Sequence, residues 1–368
     1  MTFSPIFSIT PKIAKLLADI EVSRHSLTHL PVTARVLASL RQTARLASTH
    51  YSTAIEGNRL TQMQVQEVIA GGGKFPNRER DEKEVQYYYR ALDFAEQIAT
   101  QQGKISERQL RTLHGLAYTG KEKPTPYRDG QNVIREGSGI VVYIPPRAED
   151  VSALMRSLVT WIDEQADILP IPLLAGIAHY EFATIHPYYD GNGRTARLLA
   201  TVILHKYGYG LRGIYSLEEY YAKDLPAYYA ALAVGGNDDY YEGSRASADI
   251  TGFLEYFVSG MADSFARVKF HAEKAKEAGK TDQSGILRSL NPQQRQVLRL
   301  FLEHEQIAAR NVADFFAVSP RQARHLCSKW VETGFLKVAN AAPKIRSYRL
   351  APAYEALIRS QAKQNIFE

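Results

Sequence analysis

A run of twelve residues, from His186 to Arg197, brings together the residue types that a nucleoside triphosphate requires. It reads His-Pro-Tyr-Tyr-Asp-Gly-Asn-Gly-Arg-Thr-Ala-Arg, and so combines a base, a carboxylate, two glycines and two arginines. His186 is a candidate general base. Asp190 is a candidate Mg²⁺ ligand, because Mg²⁺ at such sites takes one or two carboxylates together with substrate phosphates. The glycines let an anion approach successive backbone N–H groups, so the run predicts a phosphate site.

Two helices must position this run. Residues 173–185 carry apolar side chains at three and four residue spacing, which predicts a helix that ends beside His186. A second apolar helix begins at Arg194, so residues 191–193 are expected to form a tight loop at a helix N-terminus, where free N–H groups favour anions. Arg194 and Arg197 share one side of the first turn and oppose the helix dipole unless an anion lies nearby.

The run resembles the signature of the Fic family, H-P-F-x-D/E-G-N-G-R-x-x-R. One position departs, since Tyr188 stands where the family usually has Phe. The resemblance implies an enzyme that transfers AMP from ATP to a Ser, Thr or Tyr hydroxyl of a target protein. It implies that His186 deprotonates this hydroxyl, which attacks the α-phosphorus and expels pyrophosphate. Asp190 would hold Mg²⁺ that bridges the phosphates.

The same resemblance assigns the ATP-binding residues. The loop would cradle the phosphates as an anion hole, while Arg194 and Arg197 clamp the outer phosphates. Tyr229 lies in a segment similar to one near the nucleotide base and is expected to stack on adenine. A core or surface role for it stays open, because the chain contains 22 tyrosines. The expected ATP-binding set is Gly191, Asn192, Gly193, Arg194, Thr195, Ala196, Arg197 and Tyr229.

An upstream run, from Ser52 to Asn58, is similar to the family's inhibitory motif S/T-x-x-x-E-G/N. Gly57 is expected to end a helix, which leaves Glu56 as an acid in a last turn, where the dipole favours cations. A nearby cation would remove that mismatch. We therefore predict an inhibitory segment, containing Ser52 and Glu56, in which Glu56 pairs with Arg197 and occupies the γ-phosphate position. A solvated Glu56 is the alternative.

A β-hairpin is expected ahead of these helices. Residues 131–135 and 140–144 flank Glu136-Gly137-Ser138-Gly139, which predicts two short strands and a turn. In Fic proteins a hairpin flap lies over the site, and a target segment can align against it by adding a strand. An ordinary edge hairpin is the alternative.

Composition indicates a mainly helical protein of two or three domains. The chain has 368 residues, 45% of them hydrophobic, and no long apolar run, which excludes membrane-spanning and disordered classes. Residues 1–12 lack the order of a signal peptide. Cys327 is the only cysteine, so no intrachain disulfide can form and a reducing cytoplasm is the expected location. Capping boxes at Thr61 and Ser106 predict two helix starts.

Positive charge is concentrated in the last part of the chain. Residues 281–368 contain thirteen Lys and Arg against seven Asp and Glu, a net charge of +6. The whole chain also has a net charge of +6, so the first 280 residues sum to zero.

The same part of the chain has the element pattern of a small domain. Helices are expected after the caps Asn291 and Ser319 and over residues 308–316, and strands over 335–339 and 345–350. This is the order of a winged helix-turn-helix domain. Its third helix carries side chains suited to phosphate or groove contacts with DNA or RNA, namely Arg321, Arg324, His325 and Lys329; a protein-interaction module stays open.

These patterns predict a mainly α chain, a Fic-type helical bundle with a small β-hairpin flap followed by a winged helix-turn-helix domain. The expected divisions are residues 1–110 with the inhibitory motif, 111–270 as the catalytic core, 271–288 as a charged linker and 289–368 as the winged helix. The expected partners are a target protein of unknown identity, the chain itself as a substrate, and a second copy in a homodimer, as in the family. No membrane partner is expected.

Three other functions stay open. The same site would remove AMP from a modified protein if Glu56 oriented a water molecule. The chain would act as a winged-helix regulator if the site only sensed ATP. A metal-dependent phosphohydrolase would use His179 and His186, which share one helical face, but it leaves Arg194 and Arg197 unexplained.

Overall fold

The computed structural model describes residues 3–29, 34–135, 139–234, 239–242, 245–277, 290–298, 300–316, 318–340, 342 and 346–355. The chain divides into two compact units, a larger one of Met1–Leu30 with Val36–Ala278 and a smaller one of Pro31–Arg35 with Gly279–Glu368. The predicted mainly helical fold class is confirmed. Within the described ranges, no helix is both long and apolar enough to cross a membrane.

A helical bundle forms the larger unit. The described helices are α1 (Pro11–His29), α2 (Ala34–Ile55), α3 (Gln62–Ile69), α4 (Glu79–Thr100), α5 (Glu107–Thr119), α6 (Ala148–Gln165), α7 (Ile171–Ile185), α8 (Asn192–Lys206), α9 (Glu218–Lys223), α10 (Leu225–Leu232) and α11 (Thr251–Glu277). Helix α7 is buried along almost its whole length and packs against α6, α8 and α11. Helix α4 packs against α5 and α8.

Helix ends follow the local sequence signals. Thr61 and Ser106 each form the predicted capping box, with the side chain accepting from the N–H three residues later. Helix α2 ends at Ile55, and Gly57 follows with a φ of +91°, as expected for a helix stop. Helix α11 continues to Glu277, so the first seven residues of the expected linker, 271–277, are helical. The rest of that linker lies outside the described residues.

The predicted hairpin consists of two antiparallel strands, β1 (Ile134–Arg135) and β2 (Val141–Tyr143). Both strands are shorter than expected from the sequence. The residues before β1 bind other segments instead, since Gln131 Nε2 donates to the Pro145 carbonyl at 2.9 Å and Asn132 Nδ2 to the Tyr188 carbonyl at 3.4 Å. Residues 136–138 of the expected turn lie outside the described ranges.

The smaller unit has its own core, which includes Val297, Phe301, Val312, Cys327, Trp330 and Phe335. The expected helices and both expected strands are present, and a short strand that the sequence did not indicate joins them. The elements are α12 (Pro292–Val297), α13 (Leu300–Glu303), β3 (Ile307–Ala308), α14 (Ala309–Phe316), α15 (Pro320–Glu332), β4 (Leu336–Asn340) and β5 (Ser347–Leu350). Strand β5 is central and antiparallel to β3 and β4. This order of elements is compatible with the predicted winged helix.

Candidate active site

His186 caps the C-terminus of α7 in a conformation that few residues other than glycine adopt, with φ of 51° and ψ of 59°. Its Nδ1 lies 3.3 Å from the Ala183 carbonyl oxygen. A carbonyl only accepts hydrogen bonds, so we assign the ring proton to Nδ1, which leaves the lone pair of Nε2 free. Burial lowers the pKa of His186 to about 4, so the ring is neutral at pH 7. The side chain is therefore poised to accept a proton.

The loop after His186 is closed by Asn192. The Asn192 side chain accepts from the Tyr188 N–H at 2.9 Å and donates to the Tyr188 carbonyl at 2.8 Å. Gly191 takes a φ of +79° and caps α8, whose first helical hydrogen bond runs from Thr195 N to Gly191 O at 3.0 Å. The N–H groups of residues 192–194 precede that bond and have no acceptor within the helix. The loop thus has backbone N–H groups without a helical acceptor at the position where the sequence predicts an anion site.

Asp190 lies beside this loop with nearly half of its side chain exposed. Its Oδ1 accepts from the Gly191 N–H at 2.5 Å and lies 3.4 Å from Arg194 Nη2. These contacts fix the carboxylate while leaving its second oxygen available. The described residues contain no group of three or more His, Cys, Asp or Glu that would hold a metal by itself. A single oriented carboxylate next to a phosphate site nevertheless fits Mg²⁺, which completes its shell with phosphates and water.

Arg197 is buried in α8 and is bound by the end of α2. Its Nε donates to Ser52 Oγ at 2.8 Å, and its Nη2 donates to the Ser52 carbonyl and to Glu56 Oε1, each at 2.9 Å. Burial acts to lower the pKa of Arg197, but the Glu56 carboxylate together with Tyr228 and Tyr88 outweighs burial and holds that pKa above its usual value. The side chains predicted to pair are therefore in contact.

Glu56 also lies against the phosphate-binding loop. A Cβ atom added to Gly193 would lie 2.4 Å from Glu56 Oε1 and 3.2 Å from Arg197 Nη1. With a side chain at position 193, the Glu56 carboxylate would have to move away from this backbone. A carboxylate of the chain itself therefore lies where the loop and Arg197 offer a site to an anion.

A cavity of about 730 Å³ opens beside these groups, within the usual size range of ligand sites. His186, Gly193, Arg197 and Glu56 line it together with residues from both flap strands. Tyr229 also lines it; its ring is half exposed and its hydroxyl donates to the Ile55 carbonyl at 3.2 Å. The hairpin thus contributes to the wall of the site, as expected of a flap.

Comparison with known proteins agrees with this geometry. Residues 104–204 match the sequence model of the Fic/DOC family. The chain contains a Fic domain. It is 27% identical over 214 residues to the protein adenylyltransferase fic-1 of Caenorhabditis elegans, covering 56% of this chain and 41% of that protein. It is 28% identical over 195 residues to the protein adenylyltransferase Fic of Drosophila mojavensis, covering 52% of this chain and 38% of that protein. The chain thus spans about two fifths of the length of these relatives.

Solved structures show the same fold. A Fic family protein from Desulfovibrio desulfuricans G20 superposes with a TM-score of 0.60 at 25% identity, covering 95% of this chain and 99% of that one. A Fic domain containing signaling protein from Bacteroides thetaiotaomicron gives a TM-score of 0.61 at 26% identity, covering 72% of this chain and 97% of that one.

Some predicted residues of the Fic domain lie elsewhere than expected. Arg194 is buried, lies 3.4 Å from Asp190 Oδ1 and 3.5 Å from the Ala117 carbonyl, and is not among the residues that line the cavity with Arg197 and Glu56. Thr195 and Ala196 are fully buried and do not line the cavity. Thr195 Oγ1 donates to the Gly191 carbonyl at 2.8 Å. The Thr195 side chain therefore stabilises the loop through its contact with Gly191.

His179 belongs to the core of the Fic domain. Its Nε2 shares a hydrogen bond of 3.1 Å with the Tyr228 hydroxyl, and its ring stacks on Phe253 at 5.6 Å. Burial lowers the pKa of His179 to about 3. The residue does not line the cavity, so the described site does not favour a metal-dependent phosphohydrolase that uses His179 with His186.

Two residues that the sequence did not indicate bind the backbone of the segment from His186 to Asp190. Arg128 is buried, and its guanidinium donates to the carbonyls of His186 at 3.0 Å, Gly130 at 3.0 Å and Pro146. His114 Nε2 donates to the Asp190 carbonyl at 2.9 Å, and its ring stacks on Tyr188 at 3.5 Å. Neither lies in a recognisable sequence pattern, because the groups that they bind are backbone carbonyls, which every residue supplies.

Proposed function

We propose that the Fic domain of this chain transfers AMP from ATP to a hydroxyl group of a target protein. The observation that carries the proposal is the neutral His186, with Nε2 free, next to a backbone anion site in one cavity. The names of the relatives, protein adenylyltransferases, support the same reaction.

The reaction follows from these groups. His186 Nε2 accepts the proton of the target hydroxyl while its oxygen forms a bond to the α-phosphorus of ATP. The bond from the α-phosphorus to the bridging oxygen breaks, and pyrophosphate leaves with that electron pair. The N–H groups of the loop face the phosphates and stabilise their negative charge without having to reorganise.

Asp190 would hold Mg²⁺ against the phosphates through its second carboxylate oxygen. When bound, Mg²⁺ supplies positive charge that offsets the phosphates and the leaving pyrophosphate. Tyr229, half exposed on the cavity wall, would stack on the adenine ring. The Gly130 and Pro146 carbonyls bound by Arg128 flank the hairpin, so Arg128 would link the flap to the base.

Glu56 would keep the enzyme in a resting state. Its carboxylate is bound to Arg197 and lies on Gly193, where the outer phosphates of ATP would sit. A triphosphate must displace this carboxylate to reach Arg197, and like charges prevent both from occupying the site together. The target segment would align against the flap by adding a strand to β1 or β2. The chain itself is a candidate target, and a second copy is a candidate partner in a homodimer.

Removal of AMP from a modified protein is a second candidate. It is favoured by one observation: the Glu56 carboxylate faces the cavity, where it could accept a proton from a water molecule.

The test uses ATP labelled on the α-phosphate, with Mg²⁺, and three proteins: wild type, Glu56→Gly and Glu56→Gly/His186→Ala. We expect label on protein with Glu56→Gly, little with wild type, and none with the double variant. ATP labelled on the γ-phosphate is the control and should leave protein unlabelled. If ATP binds but no variant becomes labelled, the transfer proposal is wrong, and release of AMP from a modified protein or ATP sensing is tested next.

A further inference from the structure

We propose that the smaller unit binds double-stranded DNA, with α15 in the major groove and strands β4 and β5 against the phosphate backbone. The proposal stands on the smaller unit alone and does not depend on the transfer reaction.

Helix α15 has one buried and one cationic face. Ala323, Cys327 and Trp330 are buried in the core of the unit. The opposite face exposes four side chains, and within the part of the chain that the structure describes none of them takes part in an ion pair or hydrogen bond; they are Arg321, Arg324, His325 and Lys329. Such a face leaves the charges of Arg321, Arg324 and Lys329 available to a polyanion.

The position of these cations along α15 fits a duplex. Arg321, Arg324 and His325 lie near its N-terminus, the end that contacts base edges when the second helix of a helix-turn-helix enters the major groove. Helix α14 supplies the first helix of such a motif. The one acid of α15, Glu332, is its last residue and lies at the opposite end.

A second observation comes from the sheet. Lys337 on β4 lies directly opposite Arg349 on β5, and both side chains are exposed. Like charges directly opposite each other destabilise a sheet. No carboxylate pairs with either of them among the described residues. A phosphate between the two strands would remove this repulsion.

Shape selects DNA over other polyanions. A helix with exposed side chains fits the wide major groove of B-form DNA, whereas the major groove of A-form RNA is too narrow and deep for it. An acidic peptide would satisfy the helix or the strands, but it lacks the regular spacing of phosphates that reaches both. The net charge of +6 over residues 281–368 has the matching sign.

The test measures fluorescence anisotropy of a labelled random DNA duplex of about three helical turns, titrated with the full chain between about 50 and 200 mM salt. We expect micromolar binding at the lower salt concentration that weakens as salt rises. Lys337→Ala/Arg349→Ala should reduce the slope of log affinity against log salt by about 0.9 for each lost phosphate contact. Arg321→Ala/Arg324→Ala should weaken binding about tenfold or more.

The matched control removes two exposed lysines from the larger unit, Lys15→Ala/Lys223→Ala, and should leave the affinity unchanged. Circular dichroism melting confirms that each variant is folded, and Arg321→Glu/Arg324→Glu provides a second, charge-reversed variant that should abolish binding. The proposal is overturned by absence of binding at low salt, by equal weakening in the control, or by an RNA duplex or polyglutamate that competes as well as unlabelled DNA.

Discussion

Glu56 and Arg197 form an ion pair of 2.9 Å although 141 residues separate them in the sequence. Arg197 is almost completely buried, while about a quarter of the Glu56 side chain is exposed. Two contacts from Ser52 compensate for removing the guanidinium from water, and they do not involve Glu56. Arg197 therefore stays fixed if a phosphate replaces the Glu56 carboxylate. Arg197 can therefore bind the Glu56 carboxylate in the resting state and a phosphate of the substrate in its place.

Neutralising Glu56 is expected to strengthen ATP binding. Glu56→Gln keeps the shape of the side chain but removes the charge that competes with phosphate. A hydrogen bond to a charged group contributes about 1.5–3 kcal/mol, so we expect about a ten- to hundredfold lower Kd for ATP, measured by calorimetry. The control Glu67→Gln changes an exposed glutamate of α3 and should leave the Kd unchanged. Equal affinities of Glu56→Gln and wild type would contradict the proposed brake.

How much of this site the sequence predicts depends on how local each contact is. The loop, the cap at His186 and the stop at Gly57 follow from adjacent residues, and the structure contains all three. Contacts between distant segments are different. Burial of Arg194 against α5 depends on how that helix packs, which no spacing within the motif encodes.

The sequence could not indicate the role of Arg128 for the same reason. The three acceptors of Arg128 are backbone carbonyls, which residues of every type supply. The identity of the residues in this contact therefore gives no sequence signal. The pairing of Glu56 with Arg197 was predictable because residues 52–58 resemble the family's inhibitory motif, and because each residue conflicts with its helix dipole.

The pH dependence of transfer should reveal the lowered pKa of His186. The base must be deprotonated, so the rate rises with pH through the pKa of about 4 and is level above it. An ordinary histidine with a pKa of about 6.5 would lose about tenfold activity at pH 5.5. We expect Glu56→Gly to keep most of its single-turnover rate at that pH. Removing Glu56 does not weaken this expectation, because the Glu56 charge acts to raise the pKa of His186.

The measurement compares single-turnover rates with saturating ATP and Mg²⁺ between about pH 5 and 8. ATP affinity is determined at each pH, so that a loss of binding is not mistaken for protonation of the base. A rate that falls about tenfold between pH 7.5 and 5.5 at saturation would show that His186 titrates like an exposed histidine.

Arg128 is expected to act by positioning His186. Arg128→Lys keeps the charge, but an ammonium cannot reach three carbonyls in the geometry of a guanidinium. Looser positioning of the base should lower kcat about ten- to hundredfold with little change in KM for ATP. The control is Arg90→Lys, since exposed Arg90 donates to one carbonyl, that of Gly120, at 3.0 Å. A parallel rise in KM, or unchanged kcat, would argue against this role.

Tyr188 carries a hydroxyl at the motif position where the Fic signature has Phe. This hydroxyl is buried, and among the residues that the structure describes it has no hydrogen-bond partner. A buried polar group without a partner is destabilising, so Tyr188→Phe should raise the free energy of unfolding by about 1 kcal/mol. Stacking on His114 uses the ring and should persist.

Urea unfolding measures the change in the free energy of unfolding, with Tyr88→Phe as the matched control. The buried Tyr88 hydroxyl donates to Glu218 Oε1 at 3.1 Å, so that variant should instead lose stability. The opposite signs follow from hydrogen-bond satisfaction alone, and a loss of stability in both variants would mean that the Tyr188 hydroxyl is bonded.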